Sequence, residues 1–148
     1  MRVRYSMRIK ALPRPKQMME HLDRFIRGQE KAKRDICSAV YNHYFGQETS
    51  RESDINLGKY HVLLVGPTGS GKTYMVKTLA KYLGVPFTMV SATSLCEVGY
   101  RGKYSDDIVK SLLDRVNGNQ RLAEKGIIFI DEIDKIRSMN MGGARDVS

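Results

Sequence analysis

The chain has 148 residues, of which 41% are hydrophobic and 28% charged, and its formal net charge is +9. This length and composition fit one soluble globular domain and leave no room for two ordinary ones, and no apolar run is long enough to cross a bilayer. The sequence therefore argues against an integral membrane protein, and we expect a cytoplasmic location.

The N-terminal segment, residues 1–16, is strongly basic. It contains six basic residues and no acidic one, so it accounts for six of the nine net positive charges. Like charges repel and its prolines disfavour regular structure, so we predict a flexible arm over 1–16 and a single domain over 17–148. An Arg-rich start is also typical of targeting peptides, but this one lacks a secretory apolar core and is short for an organellar signal. Because the excess charge lies in the arm, nucleic acid is not the partner that we expect.

Two amphipathic helices are predicted before any strand. Apolar residues recur at helical intervals over residues 16–25 and again over residues 29–45, and Gly46 is predicted to end the second helix. The polar stretch 47–58 is predicted to be an exposed connector.

Strands and helices then alternate along the chain. The predicted strands are three short apolar runs, residues 61–65, 86–90 and 126–130. The predicted helices are residues 73–83, which Gly84 ends, and residues 105–116, which Ser105 caps. The last strand is uniformly apolar, which is typical of a strand buried on both faces. This order predicts an α/β fold with a doubly wound parallel sheet and helices on both faces, whose ligands bind beyond the carboxyl ends of the strands.

The segment from Gly66 to Thr73 fits the P-loop pattern G-x-x-x-x-G-K-[ST] between a predicted strand and a predicted helix. Glycine lets successive N–H groups converge on phosphate oxygens at the positive end of a helix. Lys72 is predicted to contact the β- and γ-phosphates, and the Thr73 hydroxyl to bind Mg²⁺. The predicted nucleotide-binding residues here are Pro67, Thr68, Gly69, Ser70, Gly71, Lys72, Thr73 and Tyr74. A glycine-rich turn without a ligand is the alternative.

Two carboxylates follow the third predicted strand. Asp131 is predicted to bind Mg²⁺ through its water shell, and Glu132 to polarise a water for attack on the γ-phosphate. Alternatively, the paired acids only cap the next helix. The Asp-Glu pair and the lack of a guanine-reading Asn-Lys-x-Asp motif argue against a GTPase, whereas a nucleotide kinase stays open on the P-loop alone.

The two cysteines, Cys37 and Cys96, lie 59 positions apart and form no Cys-x-x-Cys or Cys/His cluster. Neither a disulfide framework nor a zinc site is indicated, so we expect reduced, buried thiols. The three histidines show no ligand spacing either.

With these motifs the chain resembles the AAA+ ATPases, and among them the ClpX-type unfoldase subunits of Clp proteases, from about Leu12 to its last residue. Besides the P-loop, the resemblance is carried by Gly28-Gln29-Glu30-x-Ala32-Lys33, Val40-Tyr41-Asn42-His43-Tyr44, Pro86-Phe87-Thr88-Met89, Gly99-Tyr100-Arg101-Gly102, Asp131-Glu132-Ile133-Asp134-Lys135-Ile136 and Arg145-Asp146-Val147-Ser148. HslU-type proteins share much of this pattern, but they carry a large insertion between the aromatic loop, residues 99–102 here, and the acidic pair. Only 28 residues separate Gly102 from Asp131 here, which favours the ClpX type.

The resemblance implies a Mg²⁺-dependent ATPase that binds ATP or ADP, assembles as a homo-hexamer, and unfolds and translocates protein substrates to a partner peptidase. It implies catalytic roles for Lys72 and Glu132. It also implies that Ile26, Arg27 and Gly28 form a wall against adenine. An apolar residue is usual where Arg27 stands, although a guanidinium is able to stack on a base; alternatively, Ile26 is an ordinary core residue at a helix end.

Residues 99–102 match the pore loop of this family, in which an aromatic side chain grips an unfolded polypeptide. Tyr100 is the implied gripping residue. Valine is usual where Arg101 stands, so we expect acidic substrate segments to be favoured over basic ones. A Gly-Tyr-x-Gly sequence taken alone is more often a surface turn. Residues 138–147 correspond to a second pore loop.

ClpX-type chains continue past the point matching Ser148 with a sensor strand, an arginine finger, a helical domain and a protease-docking loop, and they begin with a zinc domain that two cysteines are too few to build. We therefore expect residues 17–148 to be a partial AAA+ domain, incomplete at its C-terminus. We expect it to bind ATP but hardly to hydrolyse it, since arginines supplied in trans contribute about 10³–10⁵ in rate. A non-hydrolysing ATP-binding scaffold and a DNA-associated AAA+ remodeller are the alternatives.

Overall fold

The computed structural model describes residues 12–52, 61–93 and 103–135. The chain divides into two units, one ending at Val85 and one beginning at Pro86. Within the described residues, the first unit contains three helices and the second a pair of parallel strands with two helices.

The first unit is built from α1 (Pro15–Asp23), α2 (Glu30–Glu52) and α3 (Lys72–Leu83). Proline suits the first position of α1, whose N–H would have no helical acceptor, and the Gln17 side chain accepts a hydrogen bond from the Arg14 N–H at 2.8 Å. Met18 and Leu22 are fully buried where α1 packs against α2 and α3. The predicted first helix and the predicted helix over 73–83 are both confirmed to within two residues.

Helix α2 is longer than predicted, because it continues through Gly46 to Glu52. The predicted stop at Gly46 is wrong, as is the connector over residues 47–52; residues 53–58 lie outside the described part. A glycine inside a helix costs about 1 kcal/mol, which other contacts readily outweigh. Here the Gln47 amide contacts the His43 ring at 2.9 Å, one helical turn away, and this side-chain pair supports the helix across Gly46.

The second unit consists of β1 (Phe87–Ser91), α4 (Lys103–Arg115), α5 (Gln120–Ala123), β2 (Ile127–Asp131) and a short 3₁₀ turn (Ile133–Lys135). The strands pair in parallel, with Phe87 opposite Ile127 and Ser91 opposite Asp131. Helix α4 packs on β1, where the Thr88 and Ser111 hydroxyls are hydrogen bonded at 3.0 Å. The predicted parallel α/β arrangement is confirmed for these two strands, and their carboxyl ends lie side by side.

Two details of this unit differ from expectation. Helix α4 begins at Lys103, so Ser105 lies inside its first turn and is not the cap, because lysine and tyrosine permit the helix to start earlier. Strand β2 is not buried on both faces, since Ile128 and Ile130 are 43% and 42% exposed. An apolar run shows that both faces of a strand are suited to burial, but it does not show that other elements cover them. In the described part of the chain, one face of β2 is not covered.

The helix α5 was not predicted. Asn119 caps it by accepting a hydrogen bond from the Leu122 N–H at 3.2 Å. The signal was present in the sequence, because an asparagine precedes four good helix formers.

Residues 61–65 do not form the predicted first strand. Leu63 and Val65 are 72% and 87% exposed, and among the described residues this segment has no strand partner. An extended segment needs a neighbour for its N–H and C=O groups, and hydrophobicity alone does not supply one.

Cys37 is buried, as expected, and burial raises the pKa of its thiol to about 11. Cys96 lies outside the described residues. In the parts of the chain that the structure describes, none of the helices combines the length and the apolarity that a bilayer crossing requires.

Gly126 leads into β2 and is closely packed. A Cβ atom there would lie 2.6 Å from a methyl group of Leu112 and 2.9 Å from the Ala123 carbonyl oxygen. We expect Gly126→Ala to lower the free energy of unfolding by about 1–3 kcal/mol, since overpacking forces side chains or backbone to move. Urea unfolding measures this, with Arg121→Ala on the exposed face of α5 as the control. An unfolding midpoint equal to that of the parent chain would contradict the tight packing.

Candidate functional site

The loop before α3 has the backbone geometry of an anion cradle. Gly69 and Gly71 have φ values of +79° and +85°, a left-handed conformation that glycine adopts without steric cost. Gly71 is the N-cap of α3, and its carbonyl accepts the first helical hydrogen bond from the Met75 N–H at 2.9 Å. The first N–H groups of a helix have no helical acceptors and carry partial positive charge. This loop therefore directs the positive end of α3 toward the place where a phosphate is predicted.

Lys72 folds back over the same loop. Its Nζ donates to the carbonyl oxygens of Gly66 at 2.8 Å and Pro67 at 2.9 Å. A phosphate oxygen carries negative charge, so it attracts an ammonium group more strongly than a neutral carbonyl oxygen does. The ammonium group thus lies at the loop and is able to exchange neutral carbonyls for phosphate oxygens.

A cavity of about 330 Å³ lies beside this loop, within the size range of small-molecule sites. One part of its lining is formed by four residues of the loop, Gly66, Pro67, Ser70 and Lys72. The other part is mostly apolar, with a single amide, and consists of Leu64, Val65, Met75, Ala32 and Gln29. The loop side suits phosphates, and the apolar side suits a flat, uncharged group.

The predicted adenine wall lies in the turn between α1 and α2. Ile26 is buried, whereas Arg27 and Gly28 are exposed, and Gly28 has a φ of +65°. The cavity is lined by the next residue, Gln29, and not by these three. The contact of Ile26, Arg27 and Gly28 with adenine stays a prediction.

Gln29 is a site residue that the sequence reasoning missed. Its side-chain amide donates to the Ser70 carbonyl oxygen at 2.6 Å and so joins the α1–α2 turn to the phosphate loop. The Gly-Gln-Glu stretch contributed to the family resemblance, but nothing in it indicated a partner 41 positions away.

The two carboxylates at the end of β2 have different hydrogen-bond partners. Asp131 ends the strand, and its Oδ1 accepts the Glu132 N–H at 2.9 Å. Glu132 has a φ of +55°, a conformation that is uncommon outside glycine and that turns the chain out of the strand direction.

The Glu132 carboxylate is held by two side chains. It accepts hydrogen bonds from Lys135 Nζ at 2.8 Å and from Ser91 Oγ at 3.4 Å. The hydrogen bond from Lys135, together with its positive charge, holds the pKa of Glu132 below its usual value, so the group is an anion at neutral pH. Ser91 and Lys135 were not singled out from the sequence, although a polar residue ending the neighbouring strand was an available signal.

The remaining predicted site residues are placed as follows. Thr73 is half-buried in the first turn of α3 and Tyr74 is 52% exposed. Thr73 belongs to the first unit and Asp131 to the second, and their sharing of one Mg²⁺ stays a prediction. Tyr100, Arg101 and residues 138–147 lie outside the described residues.

The predicted metal ligands are of the chemical type that Mg²⁺ prefers. Among the described residues no cluster of three His, Cys, Asp or Glu side chains is arranged to enclose a metal. Mg²⁺ needs no such cage, because it retains several waters and binds through one or two carboxylates and substrate phosphates. A threonine hydroxyl in the first turn of α3 and a carboxylate at a strand end supply that kind of ligand.

Comparison with known proteins gives a consistent result. The family model described as "ATPase family associated with various cellular activities (AAA)" matches residues 62–148. The chain is 49% identical over 143 residues to the ATP-dependent Clp protease ATP-binding subunit ClpX of Borrelia duttonii, covering 94% of this chain and 33% of that protein. It is 49% identical over 141 residues to the protein of the same name from Treponema denticola (93% and 34% covered). It is 46% identical over 140 residues to that of Porphyromonas gingivalis (93% and 34% covered). The chain thus spans about a third of the length of these curated relatives.

Proposed function

Because this chain belongs to the AAA family of ATPases, we propose that it binds Mg·ATP or Mg·ADP at residues 66–73 and acts as the ATPase module of a ClpX-type protein unfoldase. The observation that carries the proposal is the phosphate loop. Gly69 and Gly71 adopt left-handed backbone conformations, the N-terminus of α3 follows directly, and the Lys72 ammonium lies over the loop. Together these features provide N–H donors and a positive charge for a triphosphate.

Each residue contributes a separate step. The loop N–H groups and Lys72 bind and orient the phosphates, and Thr73 and Asp131 supply oxygen ligands for the metal. Mg²⁺, when bound, neutralises charge that develops on the phosphates. Glu132 accepts hydrogen bonds and stays ionised, so it is suited to orient a water and to take its proton as that water attacks the γ-phosphorus. The bond between the γ-phosphorus and the β,γ-bridging oxygen breaks, and ADP leaves with the electron pair of that bond.

At the level of the whole protein, we propose a cytoplasmic homo-hexamer whose ATP hydrolysis unfolds protein substrates for a partner peptidase. The support is the sequence similarity to Clp protease ATP-binding subunits. Tyr100 and Arg101 are the proposed pore-loop contacts with the substrate polypeptide.

The binding step is tested by calorimetric titration of the chain with ATP, with and without Mg²⁺. We expect Mg²⁺ to strengthen ATP binding by about tenfold or more, and Asp131→Asn to remove most of that gain, because the amide lacks the negative charge that attracts the hydrated metal. Asp134→Asn, a change of the same kind in the exposed 3₁₀ turn, is the control and should retain the full gain. A folded parent chain without Mg²⁺-dependent ATP affinity would overturn the proposed function.

A further inference from the structure

Lys33 is a buried lysine with three oxygen partners. Its side chain is 1% exposed, and its Nζ contacts the carboxylates of Asp23 and Glu30, the latter at 2.8 Å. The Ile26 carbonyl oxygen lies 3.5 Å from the same nitrogen. An ammonium group has three donors, so these three acceptors account for all of them. Lysine is almost never fully buried unless it is paired in this way.

The three acceptors bracket the turn that joins the first two helices. Asp23 is the last residue of α1, Ile26 lies within the turn, and Glu30 is the first residue of α2. One ammonium therefore fixes both ends of the turn and a carbonyl inside it. The hydrogen bond to Asp23, followed by that to Glu30, holds the pKa of Lys33 above its usual value, so it stays charged throughout the neutral range.

Gln29 extends this arrangement to the phosphate loop. Its carbonyl oxygen accepts the Lys33 N–H at 3.0 Å, and its side-chain amide donates to the Ser70 carbonyl at 2.6 Å. Its φ of +58° is unusual for a glutamine, so the turn holds this residue in a conformation that it rarely adopts alone. Gln29 and Ala32 also line the cavity opposite the loop.

We propose that Lys33 and Gln29 are positioning residues of the nucleotide site, in which Lys33 fixes the turn 24–29 and Gln29 fastens that turn to the phosphate loop at Ser70. Gln29, at the end of this turn, then lines the side of the cavity that receives the nucleoside, at a set distance from the side that receives the phosphates. This inference rests on the proposed function, because it assigns parts of a nucleotide to the two sides of one cavity. Neither residue is expected to touch the phosphates.

The experiment compares two ligands that differ only in the nucleoside. The affinities of Mg·ATP and of magnesium tripolyphosphate are measured by competition against a fluorescent ATP analogue, for the parent chain, Lys33→Met and Gln29→Asn. We expect both variants to weaken ATP binding by about tenfold and tripolyphosphate binding by no more than about twofold. The ratio of the two affinities should therefore fall, which a general loss of stability would not produce.

The variants are chosen so that each isolates one contact. Methionine fills the space of the lysine stem, and the two carboxylates, which are 47% and 61% exposed, become hydrated when the ammonium is removed. Asparagine tolerates a positive φ but is one methylene too short to keep the bond to Ser70, so Gln29→Asn decides the question if Lys33→Met does not fold. Lys31→Met, at an exposed lysine of α2, is the control and should leave both affinities unchanged.

The possible results separate the inference from the proposed function. An unchanged affinity ratio in the folded variants, or equal weakening of both ligands, would overturn the positioning role while the nucleotide site stands. The positioning role is also overturned if the parent chain binds tripolyphosphate as tightly as ATP, because the nucleoside then contributes nothing to the affinity. If the parent chain binds neither ligand, the proposed function itself fails.

Discussion

Replacing Lys72 by methionine is expected to weaken nucleotide binding severely. Its ammonium makes two hydrogen bonds to neutral loop carbonyls, and in the nucleotide complex these would be exchanged for charged phosphate oxygens. Only the difference between a phosphate contact and a carbonyl contact counts toward the affinity, and about 1–1.5 kcal/mol for each of two contacts predicts an affinity about 30–150-fold lower. Calorimetric titration with Mg·ATP measures this loss.

The same substitution should leave the fold almost unchanged. The carbonyls of Gly66 and Pro67 belong to exposed residues, so water replaces the ammonium and the free energy of unfolding falls by no more than about 1 kcal/mol. Lys77→Met, at an exposed lysine of the same helix, removes an equal charge and is expected to keep the ATP affinity within about twofold. A Lys72→Met chain that binds within fivefold of the parent would show that the loop holds phosphate without its lysine.

Local chemistry explains which parts of this site were predictable. Gly84 ends α3 as expected, because a left-handed residue at the C-terminal end of a helix is a requirement that the sequence shows directly through glycine. The parallel direction of β1 and β2 followed from apolar runs separated by a helix, and the same pattern predicted Asp131 at a strand end.

Contacts between distant residues account for the elements that were not predicted. Leu63 and Val65 have the composition of a strand, but strand formation depends on a partner that composition does not reveal. Lys33 looks like one more polar residue of an amphipathic helix, and only the folded turn shows that two carboxylates and a carbonyl surround it. Gln29 was missed for the same reason, since its partner Ser70 lies in another element.

Glu132→Gln is expected to separate binding from hydrolysis. Glutamine keeps one oxygen, which accepts the hydrogen bond from Lys135, and its amide is able to donate to the Ser91 hydroxyl. It is unable to take a proton from water. We therefore expect Mg·ATP affinity within about threefold of the parent chain and hydrolysis slower by about 10²–10⁴-fold, the usual contribution of a general base. Phosphate release in single-turnover reactions with excess protein measures even a slow reaction. Equal rates in parent and variant would contradict the assignment of Glu132 as the base.

The pH dependence of hydrolysis tests the same carboxylate independently. Because Lys135 lowers the pKa of Glu132 from its usual 4.5, the carboxylate should be ionised at every pH above that value, and its contribution should be lost only below it. Lys135→Met removes the cation, so the pKa of Glu132 should rise toward its ordinary value and the acid limb of the rate profile should move to higher pH. An acid limb that does not move would show that the Lys135 contact does not hold Glu132 in its ionised state. A limb present in the parent and absent from Glu132→Gln would identify Glu132 as the titrating group.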